Sequence, residues 1–195
     1  MKHFRITLLV FSIIFMTACK NDNKDSKVEE TEDVEIKKTV EENVEIKKIT
    51  MSLDPKSDSE VSGSVTFTEE NGEVKMVAEM TGLSEGEHAI HIHQKADCSS
   101  PDGKSTGGHW NPTAQPHGKW GDATGYHKGD IGNFMVGADG IGNVEFATSE
   151  WCIGCGDDTK DILGKAIIVH QGVDDFTSQP SGAAGSRISC GGIIE

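Results

Sequence analysis

The chain has 195 residues, enough for one ordinary domain with appendages, and its 35% hydrophobic content allows a modest core. Glycine is abundant at 23 residues while aromatics make up only 6%, which favours turns between short strands over a helical bundle. A formal net charge of −14 argues against nucleic acid, or an anionic membrane surface, as an electrostatic partner, so a small anion needs a local positive feature to be drawn in.

The first residues read as a targeting segment. Lys2 and Arg5 give a positive start, Ile6 to Met16 is an apolar run of 11 residues, and Met16-Thr17-Ala18-Cys19 closes it with small residues before a cysteine. The run is too short to span a bilayer, which takes about 20 apolar residues. It resembles a bacterial lipoprotein signal, in which residues 1–18 are removed and Cys19 carries a lipid that ties the protein to a membrane outside the cytoplasm. An ordinary secretory signal with an incidental cysteine would lead to the same side of the membrane. Residues 19–43 are too polar to form a core and read as a charged, disordered tether. Val34-Glu-Ile-Lys-Lys and Val44-Glu-Ile-Lys-Lys repeat at a spacing of ten residues, a local duplication rather than a solenoid.

Residues 44–195 carry the domain. Ile46 to Leu53 alternates as a first strand that Asp54-Pro55 should stop. Val61 to Thr68 and Val74 to Met80 flank Asn71-Gly72, a strong hairpin signal. Further strands are expected at His88 to His93, Asp130 to Val136, Val144 to Thr148, Ala166 to His170 and Arg187 to Ile194, with one weak helix around Asp158 to Leu163. Many short strands between regular turns predict an all-β antiparallel sandwich or barrel.

Between the strands at His88 and Asp130 lies a long irregular loop holding His109, His117, His127 and Asp130. Three imidazoles and a carboxylate form a tetrahedral set that suits zinc. His91 and His93 leave the same face of a strand, about 7 Å apart, and make half of a second metal site. Ile90 and Ile92 point the other way, into the core. His170 ends another apolar strand where a loop can meet it. Cys98, Cys152, Cys155 and Cys190 are an even number in an oxidising context, so disulfides are expected, and three pairings are open. Trp110 and Trp120, inside the loop, can shield it or pack beneath it.

Gly86-X-His88-Ala-Ile-His91-Ile-His93, Gly107-Gly-His109-X-Asn111-Pro112, His127-X-X-Asp130-Ile-Gly-Asn133, Ile168-Val169-His170 with Asp174-Asp175, and Gly185-Ser-Arg187-Ile-Ser-Cys190-Gly191 together resemble the copper/zinc superoxide dismutase family over the whole domain. The resemblance implies an eight-stranded Greek-key β-barrel with a long metal-binding loop. Copper would be held by His91, His93, His109 and His170, and zinc by His109, His117, His127 and Asp130. His109 would bridge both ions as an imidazolate and pass a proton to product. It further implies superoxide as substrate, Arg187 as the cation that attracts it, Asp174 as the link between a copper and a zinc ligand, and a Cys98–Cys190 disulfide. His88 matches a structural histidine and is not counted as a ligand. Cys152 and Cys155 depart from the family pattern and are expected to form a second, local disulfide. The stretch from Phe176 to Ser186 has no charge, which leaves out a charged steering loop. Competing readings are an extracytoplasmic copper/zinc-binding protein with little turnover on the same scaffold, and a purely structural cell-surface sandwich. The oligomeric state, monomer or homodimer, is open.

Overall fold

A computed structural model describes residues 45–195. The signal-like segment, Cys19, the tether and the first copy of the ten-residue repeat lie outside the described residues. Within them the chain forms β1 (Lys47–Pro55), β2 (Ser62–Glu70), β3 (Glu73–Thr81), β4 (Gly86–His93), β5 (Gly132–Val136), β6 (Gly142–Thr148), β7 (Ala166–His170) and β8 (Arg187–Gly192). A single 3-10 turn at Lys104–Thr106 precedes β5.

The eight strands pair antiparallel throughout, in the order β5-β4-β7-β8-β1-β2-β3-β6. β1, β2 and β3 form a meander, after which the chain crosses to β4 and returns to lay β6 beside β3. That interleaving is a Greek key. The end strands β5 and β6 approach each other without a ladder, so the barrel is nearly closed.

The two halves bury their strands differently. In β3, Val74, Met76, Ala78 and Met80 point inward and alternate with more exposed residues, the pattern of a sheet with one wet face. β7 is buried at all five positions and β4 from His88 to His93. Their inner faces carry Ile90, Ile92, Ile167 and Val169, and their outer faces are covered by the long loop before β5 and by the segment before β8. The metal-binding histidines lie in that second, covered layer.

Two expectations need correction. Asp54-Pro55 ends the first strand from within it rather than ahead of it: both residues pair, with Cys190 and Ser189 of β8, and the strand stops at Pro55. The expected helix from Asp158 to Leu163 is only a turn, in which the Lys160 and Asp161 amides both donate to the Asp157 carbonyl. The Asp161 carboxylate accepts the backbone N–H groups of Gly154, Gly156 and Leu163, a local alternative that competes with helix.

Trp120 packs between Tyr126, Phe146 and Trp151, and Trp151 donates its indole N–H to the Lys128 carbonyl at 2.8 Å. Trp110 is buried in the main core. Both tryptophans therefore fasten the long loop to the barrel. Two disulfides close the domain: Cys98–Cys190, 92 residues apart, and Cys152–Cys155, 3 residues apart.

The entropy of loop closure predicts unequal contributions from the two bridges. Replacing Cys98 and Cys190 together by serine should lower the stability of the metal-stripped domain by about 4 to 5 kcal/mol, and replacing Cys152 and Cys155 by about 1.5 kcal/mol. Denaturant unfolding of the two double variants measures both; a larger loss from the second pair would contradict the loop-closure account.

Candidate metal centre

β4 presents His91 and His93 on its outer face because side chains alternate along a strand. β7 ends at His170, where a bulge between Val169 and His170 sets His170 opposite Arg187 of β8. The long loop lies down on β4 through backbone hydrogen bonds. The Trp110 amide donates to the Ile92 carbonyl at 2.8 Å, the Ile92 amide to Gly129 at 2.9 Å, and the Gly129 amide to Trp110 at 3.0 Å. Position 129 must be glycine for this, since a Cβ there would run into the Ile92 carbonyl oxygen. His109 is thereby bridged to His93 and brought beside His91, with ring centroids 4.0 Å apart.

Two sets of donor atoms result, each within 4.8 Å of one another: His91, His93, His109 and His170, and His109, His117, His127 and Asp130. All seven residues are buried, and His109 belongs to both sets. Hydrogen bonds decide which ring nitrogen each histidine has left to offer. His91 Nε2 donates to Asp174 Oδ2 at 2.8 Å, and His117 Nε2 donates to Asp174 Oδ1 at 2.9 Å. His93 Nδ1 donates to the Gly107 carbonyl at 3.0 Å. The opposite nitrogens, His91 Nδ1, His93 Nε2 and His117 Nδ1, are then the ones left to meet a ligand.

Those nitrogens have no hydrogen bond to the protein. His91 Nδ1, His93 Nε2, His109 Nε2 and His170 Nε2 are buried without a hydrogen bond, as are His117 Nδ1 and His127 Nδ1. An unsatisfied buried polar atom costs about 1 to 3 kcal/mol, so so many in one place call for a ligand. His117 Nδ1 and His127 Nδ1 lie 2.9 and 3.2 Å from Asp130 oxygens, yet neither has hydrogen-bond geometry. Donors that approach without facing each other are aimed at a shared point. The residues fit the two metals: an all-imidazole set suits copper, and three imidazoles with a carboxylate make a closed zinc site.

The electrostatics keep His93, His109 and His170 neutral near pH 7, whereas His117 must release a proton to a metal. Burial holds the His93 and His170 imidazoles well below the ordinary histidine range. Burial and then the neighbouring His91 push His109 down to about 4, so the ring is neutral near pH 7. Burial pulls His117 down too, but the Asp130 and Asp174 carboxylates beside it raise it to about 9. Burial works against ionisation of Asp130 and Asp174, and the histidines around them outweigh it, holding both well below the usual carboxylate range.

A cleft of about 410 Å³ opens over the first set, with His93, His109, His170, Pro180, Ser181 and Arg187 in its wall. Arg187 is half-buried, and its Nη1 donates to the Gly103 carbonyl at 2.9 Å and to Thr106 Oγ1 at 3.0 Å. His88 stands apart from both sets, donating to the His170 carbonyl through Nδ1 while its Nε2 meets Ser84. Some contributors carried no assigned role in the sequence. Asn133 exchanges two hydrogen bonds with the Asp174 backbone, and Gln179 does the same with His117. Asn133 lies in a recognisable motif, whereas nothing in the local sequence marks Gln179.

A Greek-key barrel bearing an all-imidazole site and a three-histidine, one-aspartate site that share one ring defines a dinuclear copper and zinc oxidoreductase. Residues 61–193 match the family described as copper/zinc superoxide dismutase, and the chain belongs to that family. Copper is the ion for His91, His93, His109 and His170, and zinc for His109, His117, His127 and Asp130, so both metal sites of the enzyme are intact. A superoxide dismutase [Cu-Zn] from Caulobacter vibrioides is 38% identical over 141 residues, covering 70% of this chain and 80% of that protein. Among solved structures, a double mutant of a SOD-like protein from Bacillus subtilis aligns with TM-score 0.67 at 33% identity, over 75% of this chain and 97% of the other. The unsubstituted SOD-like protein aligns with TM-score 0.66 at 31% identity, over 74% and 97%.

The histidine environments set how the metal-free protein responds to pH. Between about pH 6.5, where an unfolded histidine titrates, and about 4, His109 stays neutral in the folded chain while the unfolded chain takes up the proton. Stability should therefore fall as pH drops through that window, and His93 and His170 act in the same direction. His117 acts on the alkaline side: its contribution is complete below about 6.5 and is lost as pH rises towards about 9. Thermal midpoints of the chelator-stripped domain from pH 4 to 9 should thus peak near the middle; a midpoint unchanged from 6.5 to 4 would contradict these environments.

Proposed function

We propose that this chain disproportionates superoxide outside the cytoplasm, held at a membrane by lipid on Cys19. The observation that carries the reading is the cleft itself: His93, His109 and His170, each with a buried imidazole nitrogen without a protein partner, line it, His91 completes their set, and Arg187 stands in the wall. Bound there, copper would supply the one-electron exchange that turns two superoxide ions into O₂ and hydrogen peroxide, while zinc, which has no accessible second oxidation state, supplies charge and order.

The chain's own residues perform the rest. Asp174 and the Gly107 carbonyl fix which nitrogen His91 and His93 offer to the copper set. Arg187 stays charged at any working pH and offers a fixed cation to a small anion, against the −14 of the whole molecule. Its Nη1 is held by Gly103 and Thr106, so the guanidinium does not have to be ordered when substrate arrives. His109 Nε2 faces the copper set and is the atom placed to hold a proton and release it to a peroxide product. Residues 1–18 would be the signal, 19–43 the tether and 44–195 the enzyme domain. Support for the location comes from the residues before Cys19 and from two disulfides, which persist in oxidising compartments.

The copper- and zinc-loaded chain should accelerate superoxide decay, and Arg187→Ala should lower that rate about tenfold with metal content retained. Full metal loading without acceleration would favour a metal-binding role, and an unchanged rate in the variant would remove Arg187 from substrate attraction. Mass spectrometry of the mature protein checks the anchor: a lipid-modified Cys19 is expected at its first residue, and an unmodified terminus would refute it.

A further inference from the structure

The segment from Asp174 to Arg187 has no charged residue between Phe176 and Ser186, so its part in the site is not electrostatic steering. It is instead a folded strap. Asp175 Oδ1 accepts the backbone N–H groups of Thr177 and Ser178, the Gly182 amide donates to the Ser178 carbonyl at 2.7 Å, and the Asp175 amide donates to Gly182 at 2.9 Å. From this closed turn the Gln179 side chain reaches the long loop. Its Oε1 accepts the His117 backbone N–H at 2.9 Å, and its Nε2 donates to the His117 carbonyl at 2.9 Å. One amide thus occupies both peptide groups of a residue in the zinc set. A primary amide is the side chain that can donate and accept in parallel, and asparagine would be one methylene short.

The strap touches the same histidine a second time. Gly182 lies against the Asp174–His117 hydrogen bond: a Cβ there would run into Asp174 Oδ1 and lie 2.7 Å from His117 Nε2. Between these two fastenings, Pro180 and Ser181 form part of the cleft wall. The peptide of His117, the partner of its ring and the lip of the copper cleft are therefore joined by four consecutive residues.

We propose that Gln179 is a positioning residue, a latch that couples retention of zinc to closure of the strap that forms the cleft's lip. This rests on the assignment of His117 to the zinc set. With the latch intact, His117 is held in place by its backbone as well as by its ring. Without it, His117 and the strap separate, and a ligand held only by its ring is lost more easily. Coupling of this kind is reciprocal: zinc should tighten the strap as much as the strap tightens zinc.

The test uses the full chain loaded with copper and zinc, with Gln179→Ala and Gln179→Glu. Loss of a contact that orients a metal ligand typically costs about ten- to a hundredfold in affinity. Zinc release to a competing chelator should accelerate about tenfold or more in Gln179→Ala, with Gln179→Glu between, because Glu keeps the acceptor for the His117 N–H and loses the donor. Copper release should be unchanged. Chymotrypsin cleavage after Phe176 reports on the strap: it should speed up in Gln179→Ala, and also in the unsubstituted chain once zinc alone is removed. A purely structural role would weaken both metals alike and leave cleavage insensitive to zinc. Zinc release at the unsubstituted rate, equal loss of copper, or zinc-independent cleavage overturns the latch alone. An unsubstituted chain that takes up no zinc overturns the zinc assignment and the latch together.

Discussion

The carboxylate of Asp174 is the contact on which the metal end of the barrel depends. One oxygen accepts from His91 on β4; the other accepts from His117 on the long loop and from the Phe176 amide on the strap. Three segments that are distant in the chain are thus joined through one buried group. Burying a carboxylate is costly unless its oxygens are satisfied, and here every donor comes from a part of the site that must be in place. One histidine of each set is therefore oriented by the same carboxylate. Asn133 extends the arrangement by fixing the Asp174 backbone to β5.

A second unit gathers around Arg187. Its guanidinium bonds Gly103 and Thr106 of the 3-10 turn region, and three residues further on Cys190 is joined to Cys98, just before that turn. The disulfide and the arginine thus hold the same stretch to β8. For an acidic protein with an anionic substrate, a fixed cation matters more than a mobile one. A flexible lysine would spend time in ion pairs of the kind Lys104 forms with Asp102 at 2.9 Å. The strap contributes shape to the cleft and Arg187 contributes charge.

Much of this was legible in the sequence, for physical reasons. β7 has the bounds its apolar run suggested, Ala166–His170, because a strand buried on both faces is a continuous apolar word. The hairpin at Asn71-Gly72 was equally plain, since both residues take the positive φ that such a turn needs. Three loop imidazoles with a carboxylate and the His91/His93 pair pointed to metal, and the full ligand sets were readable through the family motifs that carry them. The failures share a cause. Pro55 is compatible with a strand end, and only its partner on β8 decides the matter. Asp161 removes a helix by accepting three backbone donors, which propensity does not anticipate. Gln179 and His117 are 62 residues apart, and neither residue announces the other. Local pattern reports what a residue can do, while these cases depend on which distant atom arrives beside it.

The pairing of β1 with β8 has a consequence for biosynthesis. The first strand of the domain hydrogen-bonds to the last, His170 closes the copper set from β7, and Arg187 opens β8. A chain emerging residue by residue therefore displays His91, His93 and His109 long before the groups that complete and guard the cleft. The zinc set, spanning only His109 to Asp130, can be complete in a partly emerged chain, but the Asp174 carboxylate that orients His117 cannot yet be there. The copper set is thus complete only after β7 has been made, and its neighbouring cation arrives later still, with β8.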